Sequence, residues 1–165
     1  LIIATVFSGL FVGWLPLRIF ERRARVPEVF EPQHLASLLV AALAAIGFLH
    51  CLWVMNTRGR GTPLPLLPPR HLMQRGAYRW VRNPLYLCVI AFVAAEAAFF
   101  ESLGIAIYAV CLACFFQVFV HLYEEPDLSF RFGAMYEDYK RAVPRWMPRP
   151  PRRDPVESAR MNRER

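Results

Sequence analysis

Between Arg75 and Tyr86 the chain reads Arg-Gly-Ala-Tyr-Arg-Trp-Val-Arg-Asn-Pro-Leu-Tyr, so Arg75, Arg79 and Arg82 alternate with Tyr78, Trp80 and Tyr86. Guanidinium groups offer planar forks for a carboxylate or phosphate. Aromatic rings suit an adenine face or a sulfonium cation. Asn83-Pro84 marks a helix start, which points the amides around Leu85–Leu87 toward an anion or ring nitrogen at the positive dipole end. Gly76 permits a close backbone approach. The anionic counterpart is Glu124-Glu125-Pro126, at the end of an apolar stretch. Two acids at a helix C-terminus oppose its dipole and ask for partners: Arg82, Arg145 or a ligand hydroxyl. His121, one turn earlier, reads as a packed histidine. Arg145 lies in Val143-Pro-Arg-Trp-Met-Pro148, where Trp146 reads as an interface anchor. The bland alternative is an aromatic belt with snorkelling arginines and two solvated acids.

These polar knots hang on apolar segments. The chain has 165 residues, 56% of them hydrophobic. Leu1–Leu17, Leu35–Met55, Pro84–Phe100 and Leu103–Tyr123 are each almost free of charge, and about 17 to 20 apolar residues suffice to cross a bilayer. A soluble bundle would show a polar face on each helix, and these segments do not. The pattern predicts an all-α integral membrane protein of about four transmembrane helices. The chain does not begin with Met, so Leu1–Leu17 reads as a span or as the end of a longer one. It does not read as a signal peptide, because Arg18-Ile-Phe-Glu-Arg-Arg follows it where a small-residue cleavage site belongs.

Glu101-Ser102 leaves room only for a tight hairpin between the last two spans. The loop 56–83 and the tail after Tyr123 therefore share one side, which carries sixteen of the twenty Lys and Arg. The positive-inside rule makes that side cytoplasmic, although Arg18, Arg22, Arg23 and Arg25 lie on the other. A basic face beside anionic lipid accounts for the net charge of +7 without nucleic acid. Glu96, near the Glu101 turn, is expected to snorkel. Cys51, Cys88, Cys111 and Cys114 read as small residues packed between helices, since neither a second Cys pair nor a flanking His completes a zinc site with Cys111-x-x-Cys114. Gly59, Gly61, Pro63, Pro65, Pro68 and Pro69 exclude regular helix before the cationic knot. Leu128, Phe132, Met135, Tyr136, Tyr139 and Val143 recur at helical spacing, which predicts one amphipathic interfacial helix begun at Pro126 and stopped by Pro144. The expected organisation is a single membrane-embedded domain over 1–148, with its motifs in 56–148, and a disordered basic tail over 149–165.

Taken in order, Gly76-Ala-Tyr-Arg-Trp-Val-Arg-Asn-Pro-Leu-Tyr86, a helical hairpin, Glu124-Glu125-Pro-Asp-Leu, Phe132-Gly133, Tyr136, Tyr139 and Val143-Pro-Arg-Trp146-x-Pro148 resemble the isoprenylcysteine carboxyl methyltransferase family, which is related to the phospholipid N-methyltransferases. Gly59-Arg-Gly-Thr-Pro-Leu-Pro resembles its bacterial members. The resemblance spans residues 35–148. It implies a membrane transferase that uses S-adenosylmethionine without a Rossmann fold, and this chain has no Gly-x-Gly-x-x-Gly. It implies that Gly76, Tyr78, Arg82, Asn83, Pro84 and Tyr86 line the cofactor pocket, that Glu124, Glu125 and Tyr139 close it, and that Arg145 and Glu125 lie at the reacting centre. Three positions depart from the pattern: Asn83 replaces a His, Ala77 a Pro and Cys88 a Gly. Asn keeps hydrogen-bonding capacity but cannot titrate near neutrality.

The expected function is methyl transfer from S-adenosylmethionine to a lipophilic acceptor at the cytoplasmic face of a bacterial inner membrane. The acceptor would be an isoprenylcysteine-like carboxylate or a related small apolar or lipid-modified substrate. The expected partners are that substrate and membrane lipid, with no nucleic acid and no metal. The alternative is a non-catalytic membrane scaffold or lipid-binding subunit, which would tolerate Glu125→Gln and Arg82→Lys. A transporter ranks last, because no charge sits at mid-membrane.

Overall fold

The computed structural model describes Pro16 and residues 31–59 and 72–150. Among these residues every regular element is helical. Helix α1 (Pro32–Val54) runs into a π-helical turn (Met55–Gly59), and a 3-10 turn (Gly76–Arg79) precedes α2 (Pro84–Phe99). Helix α3 (Leu103–Phe119) continues through a second π turn (Val120–Glu124) into α4 (Glu125–Phe132), and α5 (Ala134–Ala142) follows. The expected span Leu1–Leu17, most of the first loop and the tail from residue 151 lie outside the described residues.

Two helical stretches are long and apolar enough to cross a membrane, Pro32–Thr57 with 26 residues and Leu103–Phe132 with 30. Helix α2 is apolar but has 16 residues, a rise of about 24 Å against a hydrocarbon core of about 30 Å. The described part of the chain thus holds two helices of span length and one shorter apolar helix. The outward faces are apolar too: Leu39, Leu43, Ile46 and Leu49 on α1, and Ile107, Val110, Phe115 and Val118 on α3, are all exposed. So much bare apolar surface suits lipid and not water.

Without a hydrophobic drive between helices in lipid, close packing rests on small residues. Helix α1 meets α2 through Gly47 and Cys51 on one side and Cys88 on the other. A Cβ on Gly47 would lie 2.9 Å from Cys88 Sγ, so a larger residue there would push the Cys88 side chain aside. Val93 and Ala97 pack against Ile105 and Ala109 to join α2 to α3. Cys111 and Cys114 are exposed, which corrects the expectation that they pack between helices. Both lie on the outward side of α3, where a small apolar thiol meets lipid without penalty.

The α2–α3 hairpin is as tight as expected. Ser102 caps α3 by accepting from Ile105 N at 3.4 Å, its own amide donates to Ala97 O at 3.0 Å, and Glu101 takes φ +48°. Glu101 Oε1 accepts from Gln33 Nε2 at 2.7 Å and ties the turn to the start of α1. Glu96 does not snorkel: its Oε2 is buried with no hydrogen-bond partner among the described residues.

The single amphipathic helix expected over 126–143 is two helices. Gly133 adopts φ +51°, ψ −129°, a conformation that side chains resist, and it redirects the chain between α4 and α5. The apolar face survives the break. Tyr136, Tyr139 and Val143 are buried together, and Leu72, Leu128 and Phe132 pack against them. Met135, placed on that face by spacing, points outward at 59% exposure.

Candidate active site

The two polar knots meet at one end of the bundle, and three local features bring them there. Pro84 starts α2 immediately after Arg82-Asn83, because its fixed φ suits the first helical turn. The π turn at Val120–Glu124 inserts an extra residue per turn where α3 becomes α4, and such bulges re-aim side chains and gather at functional sites. The segment after α5 then folds back across the loop before α2. Arg82 N donates to Pro144 O at 2.9 Å and Arg149 N donates to Trp80 O at 3.0 Å. Trp146 Nε1 donates to Gln117 Oε1 at 2.6 Å and fastens this strap to α3, so the expected interface anchor is a tie between elements.

Glu125 sits at the centre with its side chain 8% exposed. Arg145 grips it with two bonds, Nε to Oε1 at 2.9 Å and Nη2 to Oε2 at 2.6 Å. Arg82 Nη1 approaches Oε1 from the other side at 2.8 Å. That contact is an ion pair off the line of a hydrogen bond, and Arg82 Nε, also buried, meets no acceptor among the described residues. One carboxylate between two guanidinium ions leaves the triad with a net positive charge.

Glu124 is held differently. Its Oε2 accepts from the Tyr86 hydroxyl at 2.9 Å, and the Tyr86 ring is fixed by stacking on Phe116 at 4.5 Å. Of the two acids, Glu125 takes both arginines and Glu124 takes none. His121 is exposed and joins neither, which corrects its reading as a packed residue.

A cleft of about 80 Å³ opens between these groups, with Tyr78, Arg82, Asn83, Glu124, Glu125, Tyr136 and Tyr139 on its polar side. Met55, Leu72, Met73, Val120 and Leu128 line the apolar side. That volume holds several waters or one small polar group. The Tyr139 hydroxyl donates to Tyr78 O at 2.7 Å and locks α5 onto the 3-10 turn. Burial pushes the Tyr78 phenol well above its ordinary value, raises Tyr139 likewise, and lifts Tyr136 to about 12. All three therefore remain neutral hydroxyls near pH 7.

Six of the sequence-predicted residues reach the cleft: Tyr78, Arg82, Asn83, Glu124, Glu125 and Tyr139. The other four stand behind it. Tyr86 supports Glu124, and Arg145 supports Glu125. Pro84 is buried at the head of α2. Gly76 takes φ +60° and brings the chain against His50, whose Nε2 would lie 3.2 Å from an added Cβ. Asn83 does not cap α2 with its side chain. Its Nδ2 donates to Arg145 O at 3.3 Å, so the residue in the place of the family's histidine holds the strap. The Leu87 amide, expected to be open to an anion, donates to Asn83 O at 3.2 Å as the first helical bond.

A family model described as phospholipid methyltransferase matches residues 35–135, which takes in α1 through the first turn of α5. The chain belongs to the phospholipid methyltransferase family. This is the group of membrane methyltransferases to which the isoprenylcysteine carboxyl methyltransferases are related, and membership carries membrane methyltransferase activity with it. No curated protein and no solved structure matches the chain. The matched stretch contains Arg82, Asn83, Glu124 and Glu125 but stops short of Tyr136, Tyr139 and Arg145, so the strap that completes the cleft lies beyond it.

Sequence reasoning missed the apolar wall of the cleft and Tyr136 as a lining residue. The spacing of Tyr136 and Tyr139 put both on one helical face, and that was the available signal. The π turns leave no mark in the sequence pattern.

Proposed function

We propose that this member of the phospholipid methyltransferase family binds S-adenosylmethionine, with the cleft of about 80 Å³ receiving one polar end of the cofactor, and transfers its methyl group to a lipophilic acceptor. The observation that supports this best is the buried Arg82 guanidinium, which belongs to a residue lining the same cleft as Glu124 and whose Nε and Nη1 make no hydrogen bond among the described residues. A buried N–H without an acceptor is costly even in a guanidinium whose charge is paired with Glu125, and a ligand carboxylate at the cleft would lower that cost.

The donor set suits the cofactor. Arg82 offers a donor to its carboxylate, and Glu124 offers an acceptor to a ribose hydroxyl or an ammonium group. The phenol rings of Tyr78, Tyr136 and Tyr139 offer faces to adenine or to a sulfonium. When bound, the cofactor supplies an electrophilic methyl group. The protein supplies position, which can account for much of the acceleration of such a displacement. Glu125 and Arg145 fix Arg82 from behind, Tyr86 fixes Glu124, and the strap holds the walls together.

The acceptor reading is an isoprenylcysteine-like carboxylate or a related apolar or lipid substrate. A carboxylate acceptor needs no proton removed. The apolar wall of Met55, Met73, Val120 and Leu128 matches a hydrocarbon tail beside the reacting group. The arginine excess on the side of the site and the strap supports a cytoplasmic orientation, and we read the membrane as a bacterial inner membrane.

Calorimetry on the detergent-purified protein tests this, with S-adenosylhomocysteine as competitor and Glu124→Gln as control. Saturable binding that is competed and is lost in the variant supports the reading. A folded, monodisperse protein that binds neither molecule refutes it and favours a lipid-binding scaffold.

A further inference from the structure

Among the described residues, the cations on the site's side that have described side chains divide into two sets. In one set each has an acid. Arg131 pairs with Asp127 at 2.6 Å, Lys140 with Glu137 at 3.1 Å, Arg141 with Asp138 at 3.7 Å, and Arg82 and Arg145 with Glu125. In the other set are Arg75, Arg79 and Arg149, all exposed and without an ion pair among the described residues. These three are not scattered. Arg75 and Arg79 bracket the 3-10 turn, and Arg149 is bonded through its amide to the carbonyl of Trp80, the residue after Arg79.

The surroundings of this cluster fix its depth. Trp80 is 47% exposed and Trp53 is 55% exposed, and amphipathic indole rings prefer the headgroup level. Trp53 is in the last turn of α1 and its ring tilts against His50 at 6.1 Å. Gly76 abuts that same His50, so the 3-10 turn and the end of α1 form one edge. The described stretch 72–83 contains no acidic residue to neutralise it.

We propose that this edge, Arg75, Arg79 and Arg149 around Trp80 and Trp53, is a binding site for the phosphate headgroup of an anionic phospholipid of the host membrane. Three unpaired guanidinium groups supply forked donors that suit a phosphate. The two indoles hold the edge at the depth where such headgroups lie. The cluster is distinct from the cleft, because Arg75, Arg79, Arg149, Trp53 and Trp80 do not line it. It is nonetheless built on the same turn, since Tyr78 lies between Arg75 and Arg79 and faces the cleft. A bound headgroup would steady the turn that Tyr139 grips, and it would do so whether or not the cleft carries out methyl transfer.

The test is lipid retention by native mass spectrometry of the protein extracted from phosphatidylcholine nanodiscs containing a fixed fraction of phosphatidylglycerol. Wild type should retain phosphatidylglycerol in preference to phosphatidylcholine. The double variant Arg75→Gln, Arg79→Gln should lose that preference, by about fivefold for each arginine, the factor expected of one basic residue near an anionic surface. Arg131→Gln with Arg141→Gln removes the same charge from paired positions and should keep it. Arg75→Lys with Arg79→Lys keeps the charge and should retain most of the preference, which guards against a folding defect in the glutamine variant. Equal retention by wild type and the Arg75/Arg79 glutamine variant, or equal loss in the Arg131/Arg141 control, would overturn the proposal.

Discussion

Replacing Glu125 with Gln perturbs the most highly connected group of the site. The carboxylate is 8% exposed and lies between Arg82 and Arg145, whose side chains are 11% and 24% exposed. Its three contacts measure 2.6, 2.8 and 2.9 Å. With charge centres ~4 Å apart and an effective dielectric of ~20, each attraction is ~4 kcal/mol before desolvation is subtracted. Desolvation cancels much of this, so the intact triad adds little net stability. The variant is a different matter. Gln offers one neutral acceptor, and two guanidinium ions then face each other in a largely buried space without a counter-charge. Breaking a buried pair in this way costs about 3–5 kcal/mol. Denaturant unfolding in detergent, followed by tryptophan fluorescence, should show a loss of that size at unchanged slope. Adding Arg145→Gln to the variant should cost less than Arg145→Gln costs alone, because it removes one of the stranded cations. A Glu125→Gln protein within about 1 kcal/mol of wild type would refute the reasoning and mean that solvent already screens the triad.

Four further outcomes follow from the geometry. Tyr139→Phe strands the Tyr78 carbonyl, which now accepts at 2.7 Å, and should cost about 1–3 kcal/mol in the same unfolding assay. Gly76→Ala forces a side chain into φ +60° with its Cβ 3.2 Å from His50 Nε2, so a loss of about 1–2 kcal/mol is expected. Tyr86→Phe removes the hydroxyl that holds Glu124; calorimetry should show weaker S-adenosylmethionine binding by about 1 kcal/mol, with the thermal midpoint little changed. Burial pushes the Tyr136 phenol up to about 12 in the folded protein from an ordinary value of 10.0. Its folded value is raised, so its contribution is complete below about pH 10 and is lost as pH rises toward 12. Thermal midpoints should therefore fall above pH 10, and Tyr136→Phe should reduce that fall.

The strap 143–149 shows why the cleft was only partly legible. Arg145 and the acidic pair stood out as an unpaired cation and two unpaired anions, and charge complementarity proposed that they meet. Which acid takes which cation could not be read. Glu124 and Glu125 are adjacent in sequence, and the π turn decides that one faces two arginines while the other faces Tyr86. Asn83 was legible as a pocket residue and does line the cleft, but spacing did not show that its amide also donates to Arg145 O, 62 residues away. The amphipathic stretch was legible as a face, but its break was not, because the Gly133 conformation follows from how α5 must turn to bury Tyr136 and Tyr139.

What the sequence by itself determined is what depends on local chemistry: charge-free stretches of span length, a turn at Glu101-Ser102, helix starts at prolines, and two polar knots that had to share one side of a membrane. Only the tertiary structure decided which groups touch. It packed α1 onto α2 through Gly47, let π turns rotate Met55, Val120 and Glu124 toward a common cleft, and drew the chain after α5 back across Trp80–Asn83. Those contacts join residues far apart in the chain, and their energies depend on burial and angle, which no spacing along the sequence encodes.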